Sequence, residues 1–430
     1  MKQDKKSVNI ITLGCSKNLV DSEKIMGQLP ADRFHLSHDA SGPADIVIIN
    51  TCGFIHDAKE ESINTILEYV EAKKQGLVQE VLVTGCLSQR YKEELPAEIP
   101  EADAWFGVQE PFELFEYLKQ KYDTDNTERL VSTPSHYAYL KISEGCNRTC
   151  SFCAIPLIRG AYASRTIDSL VAETRQLAAK GVKELLLVAQ DLSYYGYDLE
   201  GKSLLAPLLE ALSAIEGIQW IRLHYAYPQN FPKDVIPLMA SNHKICRYLD
   251  IPLQHINDKV LKAMRRGHNK KNTLELLEQF RQQIPGVALR TTLMVGFPGE
   301  THKEFEELLE FVRQARFERL GVFAYSPEEG TTAFQLGDPV SEKVKQQRVD
   351  ILMSLQADIS ATLNEQKIGK TFRVLIDRRE GNFLVARSEF DSPEVDNEVL
   401  VEPAAGIEPG MFADVVITSA TDFELFAQVK

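Results

Sequence analysis

The sequence has no apolar run long enough to cross a bilayer, and its opening, MKQDKKSVNIITLG, has neither the apolar stretch nor the small-residue cleavage site of a signal peptide. Both absences make the cytoplasm the expected compartment. Cysteine is sparse. Seven residues, an odd number in a chain of 430, give no plausible disulfide framework, and in a reducing compartment such thiols more often bind metal or do chemistry. Basic charge is short as well: a net charge of −14 leaves no excess of Lys and Arg to neutralise phosphates, which argues against nonspecific nucleic-acid binding and favours a basic partner. What remains is an ordinary soluble composition, 44% hydrophobic and 26% charged, in a chain long enough for roughly two to four domains.

Three of the cysteines fall in one run, Cys146-Asn147-Arg148-Thr149-Cys150-Ser151-Phe152-Cys153, after an apolar stretch from Tyr137 to Ile142 that reads as a strand. A Cys-x3-Cys-x2-Cys loop can hold three irons of a cubane iron–sulfur cluster, and no fourth cysteine follows in register, so one iron is left open to a small molecule. Zinc takes four ligands, and neither a His nor a Cys completes such a set nearby. Three unrelated core thiols are the other alternative.

Three more cysteines recur at one point of a repeated unit. SVNIITLGC ends at Cys15, ADIVIINTCGF contains Cys52 and QEVLVTGCL contains Cys86. Each β-branched run reads as a buried parallel strand followed by a helical pattern. A β-α-β-α-β order implies right-handed crossovers, so all three cysteines fall at the carboxyl ends of strands, the edge where open α/β sheets place ligands. One such cysteine would be an ordinary small core residue; three together point to a second three-thiol cluster. Gly14, Gly53 and Gly85 flank them, and glycine there lets the backbone approach a bulky inorganic ligand. Asn18 and Asp21 belong to an Asn-Leu-Val-Asp turn that also reads as a helix start with a capping role. After Cys86 the chain becomes acidic, then helical through PFELFEYLKQKY, and DTDNTERLVSTPSH reads as a polar linker. An amino-terminal α/β domain with a parallel sheet is expected over 1–135.

From 136 to 366, strands AYLKIS, ELLLVAQ, WIRLHYAY, RYLDIPLQ, ALRTTLMVGF and RLGVFAYS alternate with helices expected over 167–180, 203–214, 232–240, 257–265 and 301–315. Six β/α repeats are too few for the usual eight-stranded closure, so a partial (β/α)6 barrel with a lateral opening is expected. Such an opening would admit a macromolecular substrate. Chemistry in parallel barrels sits at the carboxyl ends of the strands. That rule selects Cys146, Cys150 and Cys153 after the first strand, Gln190 and Asp191 after the second, Tyr225 and Tyr227 after the third, Gln254 and His255 after the fourth, and Gly296 to Glu300 after the fifth. GFPGET could offer helix-start N–H groups to a carboxylate, or be an ordinary strand-to-helix turn capped by Glu300. A single histidine such as His255 is more often structural than a ligand, and Cys246, at a strand start, reads as core. Arg159 and Arg165 could face the carboxylate of a small molecule or substrate, or lie solvated on the surface. The aromatics of SYYGYD stand at the mouth.

A long helix over 341–364 leads into short alternating strands that read as a small OB-like β-barrel over 367–430. This module carries 7 Lys plus Arg against 12 Asp plus Glu, a net of −5, the wrong sign for phosphate binding. Beside a barrel opening, it suits a basic protein.

The run CNRTCSFC, with Phe152 before its last cysteine, resembles the signature of radical S-adenosylmethionine (SAM) enzymes, in which the open iron chelates SAM. LKISEGCNRTCSFCAIPLIRGAYASR, the opening GCSKNLVDSE and the late SEFDSPEVDNEV are similar to the methylthiotransferases, and among them to the RimO family in its protein-modifying version. The resemblance covers nearly the whole chain. It implies a radical SAM barrel closed by a TRAM domain. It also implies two 4Fe-4S clusters, one on Cys15, Cys52 and Cys86 and one on Cys146, Cys150 and Cys153. SAM contacts would come from Phe152, Gln190, Gln254, Gly296, Phe297 and Glu300. The implied reaction places a methylthio group on the β-carbon of an aspartate in small-subunit ribosomal protein S-twelve, one SAM giving the radical and a second the methyl group. Expected partners are S-twelve or the small ribosomal subunit, an electron donor and a sulfur source, with no membrane and a monomeric chain. The alternatives are the same chemistry on a tRNA adenosine, a noncatalytic zinc-bearing ribosome-binding protein, and a simple electron carrier.

Overall fold

β-Branched runs without alternation become strands covered on both faces, and the first hundred residues build such a sheet. The computed structural model describes residues 5–124 and 126–430. The start of the expected first domain, residues 1–4, and position 125 of the expected linker lie outside the described residues. Strands β1 (Lys6–Thr12), β2 (Phe34–His38), β3 (Ala44–Thr51), β4 (Val78–Gly85) and β5 (Ala104–Trp105) pair in the order β2-β1-β3-β4-β5, all parallel. The apolar pattern singles out only β1, β3 and β4; β2 and β5 are short edge strands. Helices α1 (Ser16–Gln28), α2 (His56–Lys74), α3 (Cys86–Arg90), α4 (Glu94–Glu98) and α5 (Pro111–Tyr117) complete the unit. Strand alternation divides the core: Val8, Ile10, Ile46 and Ile48 pack with Ile25 and Met26 of α1, while Val47, Ile49 and Val83 pack with Ile66 and Val70 of α2.

The second sheet begins with β6 (Tyr137–Lys141). A short antiparallel pair, β7 (Ser143–Glu144) and β8 (Ala163–Ser164), brackets the cysteine loop and α6 (Ile155–Arg159). Then come α7 (Ile167–Ala179), β9 (Glu184–Val188), α8 (Tyr197–Glu200), α9 (Leu205–Ser213), β10 (Trp220–Leu223), α10 (Val235–Ser241), β11 (Ile245–Asp250), α11 (Asp258–Ala263), α12 (Lys270–Gln283), β12 (Ala288–Val295), α13 (His302–Ala315) and β13 (Arg319–Ala324). The six long strands are parallel in the order β13-β12-β11-β10-β9-β6, with β6 and β13 left as edges, so the barrel is open on one side. The fourth crossover differs from expectation. Instead of one helix over 257–265 it holds two, because the polar stretch after Ala263 breaks the first and Asn269 caps the second by accepting from the Asn272 N–H. Helix α13 starts with a capping box between Thr301 and Glu304.

The polar segment read as a linker is not free of the core. Arg129 is buried, ion-paired with Glu23 of α1 (3.4 Å) and Glu173 of α7 (3.1 Å). Charge pairing across the boundary is invisible to a composition test for linkers.

Helix α14 (Glu342–Glu365) leads into a closed barrel of β14 (Thr371–Glu380), β15 (Phe383–Ser388), β16 (Glu398–Val401), β17 (Phe412–Ala420) and β18 (Glu424–Val429), ordered β14-β15-β16-β18-β17. It packs against the starts of the large-barrel strands. His136, just before β6, meets Asp377 (2.8 Å); Arg222 in β10 bonds Glu184 (2.8 Å), which also takes Arg387 (2.8 Å); and Arg319, which opens β13, is bound by Asp391. The acidic module therefore bridges both edge strands beside the lateral gap, at the end away from the cysteines. Among the described residues, no helix is long and apolar enough to cross a membrane.

Candidate functional site

Parallel strands that end together deliver their following residues to one edge. Cys15 follows β1 and forms the N-cap of α1, Cys52 follows β3, and Cys86 follows β4 and opens α3. The loops touch. A Cβ added at Gly14, where φ is +88°, would lie 2.8 Å from Cys52 Sγ; one at Gly85, where φ is +101°, would lie 2.5 Å from Thr51 O. Glycine at these points lets the three loops close on one another.

Asn18 fastens them. Its Nδ2 donates to Leu13 O (2.9 Å) and Thr51 O (3.0 Å), and its Oδ1 accepts from Arg159 (2.5 Å) beside Cys86 Sγ (3.6 Å). Neither Asn18 nor Asp21 caps α1, the reading left open by the sequence; Asp21 instead binds Lys141 and Arg159 (3.1 Å). Burial alone would raise the Cys15 thiol, but Lys17, Arg159 and two backbone N–H groups hold it below its ordinary value. Cys86 is pushed up to about 11 by burial, which Arg159 only partly offsets.

The second thiol set sits at the mouth of the large barrel. Ser151 ties its loop to the end of α11, donating from N to Met264 O (2.9 Å) and from Oγ to Ala263 O (2.8 Å). Arg266 donates to Cys150 Sγ (3.3 Å), and the Arg148 backbone N–H donates to Cys146 Sγ (3.4 Å). The Tyr227 ring lies 4.1 Å from the Arg148 guanidinium and 4.2 Å from that of Arg266. Burial pushes Cys146 up to about 11 and Cys153 up to about 12.

Helix α6 joins the two sets. It begins just past Cys153 and ends at Arg159, whose Nε donates to Cys86 Sγ (3.3 Å) and whose remaining nitrogens reach Asp21, Glu144 (2.9 Å) and Asn18. Sequence reasoning offered Arg159 to a ligand carboxylate or to solvent. It is instead buried between the two units. Arg165 is also held within the protein, by Glu173 (2.6 Å), Ser169 (2.8 Å) and Lys141 O (3.1 Å). The sequence reading passed over Lys17, which lies 3.9 Å from the Tyr225 ring and so links the first unit to the barrel mouth; its position two residues after Cys15 was the available signal.

The proposed SAM residues divide. Gln190 and Gln254 stand at strand ends with buried Oε1 atoms that have no hydrogen-bond partner among the described residues. Gln254 is held at φ +72° and Tyr225 at +63°, backbone strain of the kind concentrated at functional sites. Phe152 meets Phe297 edge-on at 6.5 Å, and Phe297 is fully buried. Glu300 is committed internally: it accepts from Gly296 N (3.0 Å) and Arg348 (2.5 Å) and lies 3.5 Å from His255. Thr301, not Glu300, caps α13.

Among the described residues, no three His, Cys, Asp or Glu side chains gather closely enough to hold a single metal ion. A cubane needs a different arrangement, three thiolates around a gap with one on each of three irons. Converging loops with cations at the sulfurs fit that demand, and the unpartnered Oε1 atoms of Gln190 and Gln254 fit a polar ligand at the second set.

Between the units, a cavity of about 380 Å³ is lined by Asp21, Lys24, Lys141, Glu144 and Arg159. Burial and the charge of Arg165 push Lys24 down to about 8. Its folded pKa lies below the ordinary value of about 10.4, so the protonated form costs stability at neutral pH and the cost fades as pH rises above 8. With lysine 13C-labelled at Cε, two lysines are expected to titrate near 8, Lys24 and Lys367, and Lys24→Met should remove one of them. Titration of all lysines near about 10 would contradict this burial.

Three family models match the chain: one described as Uncharacterized protein family UPF0004 over residues 7–107, one as Radical SAM superfamily over 140–312 and one as TRAM domain over 368–429. The chain is 54% identical over 428 residues to the ribosomal protein uS12 methylthiotransferase RimO of Flavobacterium johnsoniae, covering 99% of this chain and 98% of that one. It is 52% identical over 429 residues to the protein of the same name from Bacteroides thetaiotaomicron, again covering 99% and 98%. Among solved structures, the radical S-adenosylmethionine methyltransferase TsrM from Kitasatospora setae, with cobalamin and a 4Fe-4S cluster bound, matches with a TM-score of 0.56 at 13% identity, covering 95% of this chain and 84% of that one. The cobalamin-dependent S-adenosylmethionine radical enzyme OxsB matches with a TM-score of 0.52 at 11% identity, covering 82% and 56%. These two likenesses speak for the fold.

Proposed function

We propose, for a chain that belongs to the ribosomal protein uS12 methylthiotransferase RimO family, that it adds a methylthio group to the β-carbon of an aspartate in uS12. It is a radical SAM transferase with an iron–sulfur cluster. The observation that carries the finer reading is the pairing of two three-thiol sets through α6 and Arg159. When bound, a cluster on Cys146, Cys150 and Cys153 would supply SAM-derived radical chemistry at carbon, and one on Cys15, Cys52 and Cys86 would carry the sulfur.

The chain's own residues prepare both places. Arg266 and Tyr227 hold Cys150, and Asn18 and Arg159 hold Cys86. Gln190 and Gln254 offer unspent amide oxygens to SAM, and Phe152 backs the loop against Phe297. Lys17 over Tyr225 ties the first unit to the barrel mouth. No general base is needed at the target carbon, which has no usable pKa. The terminal module, at −5, steers a basic ribosomal protein toward the lateral gap. Electron and sulfur come from donors outside the chain, and the chain acts as a monomer.

Mass spectrometry of uS12 from a strain lacking this chain is the test. The aspartate is expected without methylthio and to regain it on complementation. A fully methylthiolated aspartate in the deletion strain would exclude the target.

A further inference from the structure

We propose that Lys17 receives the side-chain carboxylate of the target aspartate and so sets its β-carbon between the two thiol sets, an inference that rests on the uS12 reading above. Lys17 is the second residue of α1, two after Cys15. It is only 9% exposed, and its Nζ lies 3.9 Å from the centre of the Tyr225 ring, just past the end of β10 at the mouth of the large barrel. Among the described residues its ammonium neither donates a hydrogen bond nor joins an ion pair.

A buried ammonium with no carboxylate beside it is costly to keep. The face of Tyr225 offsets part of that cost and leaves the three N–H donors unused. Placement in the helix adds to the cost. The first turn of α1 has no acidic residue, so Lys17 stands at the positive end of the helix dipole, where a cation is disfavoured and an anion favoured. Its influence on the Cys15 thiol acts through space and spends none of its donors.

Other cations around the mouth are committed. Arg148 pairs with Asp191 (2.8 Å), Arg290 with Asp250 (3.1 Å) and Asp396 (3.3 Å), and Lys141 and Arg159 both with Asp21 and Glu144. Arg266 donates to Cys150 Sγ and to Pro252 O. Lys24 has no ion pair either, but neither Tyr225 nor a cysteine lines the cavity it faces. Lys17 is left as the uncommitted cation between the two sets. The ring beside it is held in place: Asp250 accepts from the Tyr225 N–H (3.4 Å), and Tyr225 is fixed at φ +63°. In aspartate the β-carbon is bonded directly to the carboxyl carbon, so holding the carboxylate holds the target carbon. Asparagine keeps the shape and loses the charge that a buried ammonium selects.

The amino acid end of SAM carries the same group, so the test separates the two sources. It measures binding to the full-length holoenzyme of SAM and of unmodified uS12 with either aspartate or asparagine at the target position. The unsubstituted enzyme is expected to prefer aspartate about thirtyfold. Lys17→Met should bind both forms alike, with SAM affinity and about eight irons per chain retained, and Lys17→Arg should recover part of the preference. An undiminished preference for aspartate in Lys17→Met would overturn the proposal, as would a loss of SAM affinity in its place. Loss of iron from the first set in that variant would assign Lys17 to Cys15 and also overturn it. If the unsubstituted enzyme binds uS12 equally with aspartate or asparagine, this proposal alone falls; if it binds uS12 in neither form, the uS12 reading falls with it.

Discussion

Cys150→Ala is expected to abolish SAM cleavage, whereas Cys86→Ala should leave it intact while still ending methylthio transfer. The two thiol sets stand on separate scaffolds, one on the loop after β7 and one on the edge of the first sheet, so each can be emptied alone. Iron analysis provides the second readout. About eight irons per chain are expected with both sets filled and about four in either variant. Loss of all iron from Cys86→Ala would mean that the sets do not load independently. Retention of methylthio transfer by that variant would remove the sulfur-carrying role from Cys15, Cys52 and Cys86.

Arg159→Met is expected to cost about 3 kcal/mol, read as a lower urea midpoint, and to lose iron from the first set alone. Arg159 is buried among Cys86, Asn18, Asp21 and Glu144, and removing one partner of a buried ion network leaves the others uncompensated. The figure sits at the low end of that range because Glu144 keeps 34% of its side chain exposed. Burial works to raise the Glu144 carboxyl, but Lys141 and Arg159 together hold it well below the usual carboxylate range. A lowered folded pKa contributes stability above the unfolded value of about 4.3, lost as pH falls toward the folded value. The gap between wild type and variant should therefore be widest near neutrality and narrow in acid below about pH 4. Arg159→Lys keeps the charge without the planar fork, and an intermediate loss is expected. A variant as stable as wild type, with full iron, would show that α6 joins the sets only by proximity.

Legibility differed by element. Cys15, Cys52 and Cys86 could be read as one edge because parallel topology follows from β-α-β order, and the cysteine loop because ligand spacing is local. Edge strands β2 and β5 could not, since each is short and covered on too little of its surface to impose a pattern. Helix α12 was hidden behind a polar break. The segment 123–136 looked like a linker, although its Arg129 pairs with carboxylates on both sides.

The candidate cysteine ligands, the parallel strand direction and the small terminal barrel could be read from runs of side chains whose meaning is local: β-branched stretches, Cys spacing, alternating strands. The tertiary structure alone decided how these parts face one another. Arg159 meets Cys86 across 73 residues and Asp21 across 138, and the terminal module meets His136 across 241. Periodicity carries no information at such separations. Only burial, which leaves a charge no option but the opposite charge or thiol beside it, fixes those pairings.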